Sequence, residues 1–346
     1  MEKITFPIGS KTIGGTNRLL LQSMSDHKTS DVAYQVRLTN KLARMGLDLM
    51  RFSVLDAEDA KALSQIKKKV TVPVIADIHF DHNLALLAIE NGADKIRINP
   101  GNIGSESALR DVIHACKEKG IPMRIGVNSG SLNKYRGKTE SPVDDFLLAL
   151  DETLAVYQSE GFDHLVLSLK SSDPLLTQEL YTKAEAKYPY PLHLGLTESG
   201  FGVMGSAKSA LALFPLLKAG IGSTLRVSLA DDRVDEMRVA KTLLQASGRW
   251  SNLPKLIVCP SCGRTQIDLK PIARLVANKL DFVFKPITLA VMGCPVNGIG
   301  EAKGATYGIA GSGKKDVYLL FSYGKPLGLY PKKEALAKLY SLIDNA

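Results

Sequence analysis

The sequence predicts an α/β fold: a (β/α)8 TIM barrel over residues 1–248, followed by a smaller α+β domain over residues 249–346. Three observations support it. Short runs rich in Val, Ile and Leu alternate with longer amphipathic segments, no G-x-G-x-x-G follows the first run, and the texture of the chain changes after Gly248. The runs are LLLQSM (19–24), LDLMRFSV (47–54), VPVIADI (72–78), DKIRIN (94–99), PMRIGVN (122–128), HLVLSLK (164–170), LHLGLT (192–197) and TLRVSL (224–229). Each is apolar on both faces, as buried parallel strands are. Eight such units over about 230 residues suit a closed barrel better than an open, doubly wound sheet.

The segments between the runs read as helices. Residues 31–46 (DVAYQVRLTNKLARMG) space Val32, Val36, Leu42 and Met45 along a helix, open on Ser30 or Asp31 as a cap and stop at Gly46. Similar segments end at Gly92, Gly120, Gly161 and Gly220, each a few residues before the next run. Beyond Gly248 come three of the four cysteines, a glycine-rich stretch (293–313) and YLLFSYGKPLGLY (318–330), which predicts a hairpin. The closing KKEALAKLYSLID (332–344) predicts a short amphipathic helix.

Composition narrows the function. With 45% hydrophobic and 23% charged residues, the chain is neither disordered nor fibrous. It has no run of eighteen uncharged apolar residues and no apolar core behind a basic start, so neither a membrane span nor a secretion signal is expected. Four cysteines are too few for a disulfide framework, which points to a cytoplasmic protein. The net charge of +9 suits either nucleic acid or a small anionic substrate.

The position of the cations favours the small anion. In such barrels chemistry gathers where strands end. Those points carry Arg51, Asp77 and His79, Arg97 and Asn99, Arg124 and Asn128, Lys170, Thr197 and Glu198, and Arg226 and Ser228. Five cations from five strand ends would face one mouth, and such convergence is costly unless an anion shares it. Bidentate arginines suit phosphate oxygens, and the turns NPGNIG (99–104) and NSGS (128–131) offer free backbone N–H groups. Asp77 and His79 by themselves read as structural, whereas Glu198 is the carboxylate best placed for proton transfer.

Cys259 and Cys262 form CPSC, and Cys294 follows 32 residues later. A C-x-x-C turn aims two thiolates at one centre, either zinc or an iron–sulfur cluster. No fourth cysteine follows and no histidine occurs after His193, so the fourth ligand must be something else; Glu301 lies seven residues past Cys294. Spacing favours a [4Fe–4S] cluster and leaves zinc and a redox dithiol open.

CPSCGRTQIDL (259–269), MGCPVNGIGEA (292–302), IRINPGNIG (96–104), RIGVNSGSL (124–132) and LGLTESG (194–200) together resemble the hydroxymethylbutenyl diphosphate synthases, iron–sulfur enzymes of the non-mevalonate isoprenoid pathway. The resemblance runs from Gln22 to about Gly311. It implies reductive ring opening of 2-C-methyl-D-erythritol 2,4-cyclodiphosphate to 4-hydroxy-3-methylbut-2-enyl diphosphate, with two electrons from ferredoxin or flavodoxin delivered through the cluster. By the same resemblance Cys259, Cys262, Cys294 and Glu301 match the cluster ligands. Arg51, Arg97, Arg124, Lys170 and Arg226 match the diphosphate-binding cations, with Asn99, Asn128, Thr197 and Ser228 as polar partners. Glu198 matches the acidic residue that handles protons. The resemblance also implies a homodimer in which the cluster domain of one subunit caps the partner's barrel, and the shorter bacterial architecture. Two departures stand out. Ile299 replaces a common proline of the family, and the loop QSMSDHKTSD (22–31) differs from the usual run, which leaves His27 and Lys28 without an inherited role.

Two other readings are open to the residues alone. One is a zinc-stapled barrel related to the pterin-binding synthases; the other is a basic zinc-knuckle nucleic-acid binder. The second lacks a basic run interleaved with aromatics, and the chain has a single Trp.

Overall fold

The computed structural model describes residues 2–98, 105–128, 132 and 135–346. Internal contacts divide the chain into two units, Met1–Arg249 and Trp250–Ala346.

The first unit opens on a hairpin with no counterpart in the sequence reading, β1 (Phe6–Ile8) and β2 (Lys11–Ile13). Eight parallel strands follow: β3 (Leu20–Met24), β4 (Leu49–Val54), β5 (Val74–Ile78), β6 (Lys95–Ile98), β7 (Met123–Asn128), β8 (Leu165–Lys170), β9 (His193–Leu194) and β10 (Thr224–Leu225). Strands β3 to β8 pair in chain order, and β10 pairs with both β3 and β9. A parallel bridge between Leu167 and Leu192 closes the ring. The barrel expected from eight apolar runs is therefore the barrel observed.

Helices α1 (Val32–Arg44), α2 (Ala57–Lys67), α3 (His82–Glu90), α4 (Glu106–Glu118), α5 (Pro142–Ser159), α6 (Pro174–Lys187), α7 (Gly202–Lys218) and α8 (Arg233–Ala246) alternate with the strands. All but α7 begin on an Asp or Ser whose side chain accepts a first-turn N–H. The glycines expected to stop helices, Gly46, Gly92, Gly120, Gly161 and Gly220, all take positive φ, the left-handed conformation that ends a helix. Helix α1 departs from a simple apolar stripe, because its buried residues include Gln35 and Thr39. Gln35 Nε2 donates to the carbonyls of His27 and Lys28, both at 2.9 Å, and so anchors the loop after β3.

The barrel interior is graded. Phe6, Ile8 and Ile13 of the hairpin pack with Leu20, Leu49, Ile75 and Val166 from the beginnings of four strands, making an apolar floor. Further along, the inward positions become polar. The last two strands are shorter than the runs 192–197 and 224–229 imply, because the chain leaves the ladder where the site begins. There Thr197 N bonds Ser171 O at 3.1 Å, and Leu229 N turns to the Glu236 carboxylate at 2.8 Å.

The second unit is a five-stranded sheet: β11 (Lys255–Val258), β12 (Thr288–Met292), β13 (Tyr307–Gly311), β14 (Val317–Ser322) and β15 (Lys325–Pro331). The first three are parallel and the last two antiparallel. Strands β14 and β15 form the expected hairpin, turned by Tyr323 and Gly324, both at positive φ. Helix α9 (Leu269–Leu280) buries Leu269, Ile272, Val276 and Leu280 on one stripe, packed with Leu289, Val291 and Ile309 of the sheet. The closing helix α10 (Lys332–Asn345), anticipated over 332–344, adds Ala335, Leu339 and Ile343 to the same core. On the opposite face, Ala290, Met292, Ala310 and Phe321 pack with Ala302 and Ala305 of the segment linking β12 to β13. Strand alternation thus gives each face its own core. Among the described residues, no helix is long and apolar enough to cross a membrane.

Candidate active site

Side chains alternate along a strand, so a polar residue near a strand's C-terminal end can face the barrel mouth. Arg51 comes from β4, Arg97 from β6, Arg124 from β7 and Lys170 from β8, while Arg226 directly follows β10. These five line one cavity of about 220 Å³ together with Thr197, Glu198 and Ser228. Drug-sized ligands need roughly 300–1,000 Å³, so this cavity suits a compact molecule. Eight of the strand-end candidates are thereby brought together. Asn99 lies outside the described residues; of Asn128 only the backbone, which ends β7, is described.

Buried carboxylates hold part of this charge. Asp77 lies 2.9 Å from Arg97 Nη1 and 3.7 Å from Arg51 Nε. Burial works to raise the Asp77 carboxyl, but Arg51, the hydrogen bond with His79, Arg97 and Arg124 outweigh it and hold it well below the usual carboxylate range. On the other side Glu236, from α8, lies 2.6 Å from Arg233 Nη1 and 3.5 Å from Arg226 Nη2. Burial pushes Glu236 upward, against the pull of Arg226 and Arg233. Met24 Sδ accepts from Arg51 Nη2 at 2.7 Å and from Arg226 Nη1 at 3.4 Å.

Two cavity cations have no carboxylate partner among the described residues. Arg124 is almost fully buried, and its Nε and Nη1 have no hydrogen-bond partner among the described residues. Burial, then Arg51 and Arg97, pull its guanidinium well below its ordinary value. Lys170 is pulled down by burial and then by Arg124, Arg51 and Arg226. Arg51 falls to about 9, chiefly through burial, with Asp77 opposing. A guanidinium scarcely releases its proton, so the directions at Arg51 and Arg124 express a demand for negative charge in the cavity.

Glu198 stands exposed at the rim with φ of +52°, a strained conformation for a residue with a side chain. Gly195 makes room for Lys170, since a Cβ there would stand 2.6 Å from the Lys170 ammonium nitrogen. His79 lies 2.9 Å from Arg97 Nη1 and 3.7 Å from Asp77, so this pair braces the arginines. His27 and Lys28 line no part of the cavity; they make exposed pairs with Asp31 and Glu58, each at 3.2 Å. Sequence reasoning missed Glu236, which looks like an ordinary first-turn acid of a helix. It also missed Lys95, whose only signal is a charge inside a buried apolar run.

The thiols lie in the second unit. Cys259 follows β11 and Cys294 follows β12 after one residue, Gly293, whose N–H donates to Cys259 Sγ at 3.1 Å. This bond sets the two cysteine loops side by side. Cys262 is exposed in a tight turn, with its N–H on Thr265 Oγ1 at 3.1 Å. Residues Val296–Glu301 form a π-helical turn that includes Ile299. Cys294, two residues before it, has Sγ 3.5 Å from Asn297 Oδ1, and Asn297 Nδ2 donates to Glu301 Oε2 at 2.9 Å. Among the described residues no three His, Cys, Asp or Glu side chains converge closely enough to hold a single metal ion. A cuboidal cluster spreads its ligands more widely than a mononuclear ion does. The donors present, three thiols with one N–H···S bond and a carboxylate linked to the third through Asn297, suit it.

Both units match one family. Residues 3–241 match the GcpE TIM-barrel domain, and residues 255–345 match the GcpE protein C-terminal domain. The chain belongs to the GcpE family. It is an enzyme of that family, and similar curated proteins run its whole length. The 4-hydroxy-3-methylbut-2-en-1-yl diphosphate synthase (flavodoxin) of Macrococcus caseolyticus is 45% identical over 340 residues, 98% of this chain and 91% of the relative. The synthase of the same name from Caldanaerobacter subterraneus is 45% identical over 352 residues, 100% of this chain and 98% of the relative. That of Bacillus subtilis is 45% identical over 340 residues, with 97% and 89% covered. Among solved structures, 7,8-dihydropteroate synthase from Vibrio fischeri aligns at a TM-score of 0.51 and 14% identity, covering 72% of this chain and 99% of that one. This likeness concerns the fold alone, so neither it nor the relatives support a zinc-stapled pterin-type enzyme or a nucleic-acid binder.

Proposed function

We propose that this GcpE-family enzyme converts 2-C-methyl-D-erythritol 2,4-cyclodiphosphate to 4-hydroxy-3-methylbut-2-enyl diphosphate. Per neutral cyclodiphosphate, two electrons and two protons enter, one ring C–O bond to phosphate breaks, and a hydroxyl leaves as water. The observation that carries this reading is the small cavity with five cations, two of them without carboxylate partners among the described residues. A compact cyclic diphosphate satisfies their charge. The relatives' names state the product and a flavodoxin as donor.

In this reading Arg51, Arg97 and Arg226, braced by Asp77 and Glu236, orient the phosphates, and Arg124 and Lys170 supply the unpaired positive charge. Asn99, Asn128, Thr197 and Ser228 are the polar partners. Glu198, on the rim, holds the proton that the departing hydroxyl requires. Cys259, Cys262, Cys294 and Glu301 would hold a [4Fe–4S] cluster, with Glu301 as the replaceable ligand. When bound, such a cluster supplies low-potential electrons singly. We place the barrel over 1–248 as the substrate domain and 249–346 as the cluster domain, in a cytoplasmic homodimer.

The test is anaerobic purification, metal analysis, and optical and EPR spectra with and without the cyclodiphosphate. About four irons and four sulfides per chain, with a spectrum altered by the cyclodiphosphate, are expected. One zinc per chain, or a cluster indifferent to the cyclodiphosphate, would overturn the reading.

A further inference from the structure

Barrel interiors are ordinarily filled by Val, Ile and Leu. Here β6 carries a lysine inside. Lys95 is completely buried, and its ammonium nitrogen has no hydrogen-bond partner among the described residues. It lies two positions before Arg97 on the same strand, so both face inward and Lys95 lies about 7 Å deeper in the barrel. Two polar residues on neighbouring elements share its character. His193 of β9 is buried, with Nδ1 on Thr224 Oγ1 at 2.7 Å and Nε2 without a partner. Gln22 of β3 is buried with both amide atoms unpartnered among the described residues.

Among the described residues no carboxylate balances this tier. The charges acting on Lys95 are those of Arg51 from β4 and Arg124 from β7. His193 from β9 feels Lys95 in turn, and Arg97 shares β6 with Lys95. On β5 the residue in register with Lys95 is Ile75. Asp77, two positions further along β5, is already engaged by Arg51 and Arg97.

We propose that Lys95 is a positioning residue of the anion site, a second tier of positive charge that attracts the bound polyanion through the barrel interior without touching it. An isolated buried ammonium without a partner is costly in the empty cavity, so the side chain rests there as the neutral amine. An anion placed above it reverses the balance, because unit charges a few ångströms apart in low dielectric interact strongly. Binding therefore draws one proton from solvent onto Lys95 Nζ. Burial, followed by the fields of Arg124 and Arg51, lowers the free amine's proton affinity in the direction this requires.

The inference rests on the anion-binding half of the proposed function, so its test uses a probe independent of turnover. Trimetaphosphate is a cyclic trianion with no titratable proton near neutrality. Its binding to the holoenzyme is followed by calorimetry in two buffers of different ionisation enthalpy. Lys170 is lowered by the same causes, so the readout is the difference between variants: wild type should take up about one proton more per trimetaphosphate bound than Lys95→Met. Lys95→Met should also bind about tenfold more weakly and melt at a higher temperature than wild type. Lys95→Arg, whose guanidinium keeps its proton throughout, should bind within about threefold of wild type with the smaller uptake of Lys95→Met. Unchanged affinity and proton uptake in Lys95→Met, or the full wild-type uptake in Lys95→Arg, would overturn the proposal. So would failure of wild type to bind trimetaphosphate. If wild type binds it as described but does not turn over the cyclodiphosphate, the proposed function fails and this inference stands.

Discussion

The barrel and the small domain both keep their reactive groups at the C-terminal ends of parallel strands, but they hold them differently. In the barrel Arg51, Arg97, Arg124 and Lys170 are strand residues, fixed by the sheet and braced by Asp77 and Glu236. In the small domain Cys259, Cys262, Cys294 and Glu301 lie beyond the strands, on loops and a π-helical turn. The difference follows from charge. Like-charged cations repel and must be held in place before their ligand arrives, at a cost met by the rest of the fold. Thiolate ligands are drawn together by the metal they bind, so their loops need only bring them near.

The sharpest break of this comparison is Cys294→Ser. It should remove the cluster and cut turnover below about a thousandth of wild type, while trimetaphosphate binding to the barrel persists; loss of both would show that the two sites are not separable. Next in size is Asp77→Asn, which leaves Arg51 and Arg97 facing each other without a carboxylate. Breaking such a buried pair costs about 3–5 kcal/mol, readable by denaturant unfolding. Because the folded state depresses the Asp77 carboxyl, its contribution is full above the unfolded value of about 3.9 and fades as pH falls below it. The variant should therefore lose the acid-side decline that Asp77 causes, and an unchanged acid limb would argue that Asp77 is incidental.

Glu198→Gln should lower kcat about a hundredfold with little change in KM, because it removes a proton and leaves the cradle intact. A KM effect alone would make Glu198 a binding residue. Arg124→Ala and Lys170→Ala should each raise KM about 10- to 100-fold at unchanged iron content; wild-type kinetics in both would remove support for the cradle. The smallest effect belongs to Glu301→Ala. It should keep the cluster, change its EPR signal and lower turnover about tenfold. An unchanged signal at normal rates would remove Glu301 from the ligand set.

Much of the barrel was legible because its cause is local. A parallel strand buried on both faces must be apolar throughout, and a helix that turns back must stop, so the runs and the glycines at 46, 92, 120, 161 and 220 mark the units. A charge breaking such a run at its end, as at Arg51 or Arg124, is equally visible. The hairpin Phe6–Ile13 was not, because its two three-residue strands have value only as a floor under strands that come later. Glu236 was hidden for a similar reason, since its partner Arg226 arrives from another element and only folding shows that the first-turn acid of α8 faces inward.

The order of elements, the run of cations at strand ends and the positions of the three cysteines are thus properties of the chain itself, because periodicity, capping and spacing act over a few residues. Which cations share a carboxylate and which stand alone was decided by barrel closure, as was the burial of Lys95 beneath them. Pairing and burial depend on distances between residues far apart in sequence, and only the closed sheet sets those distances.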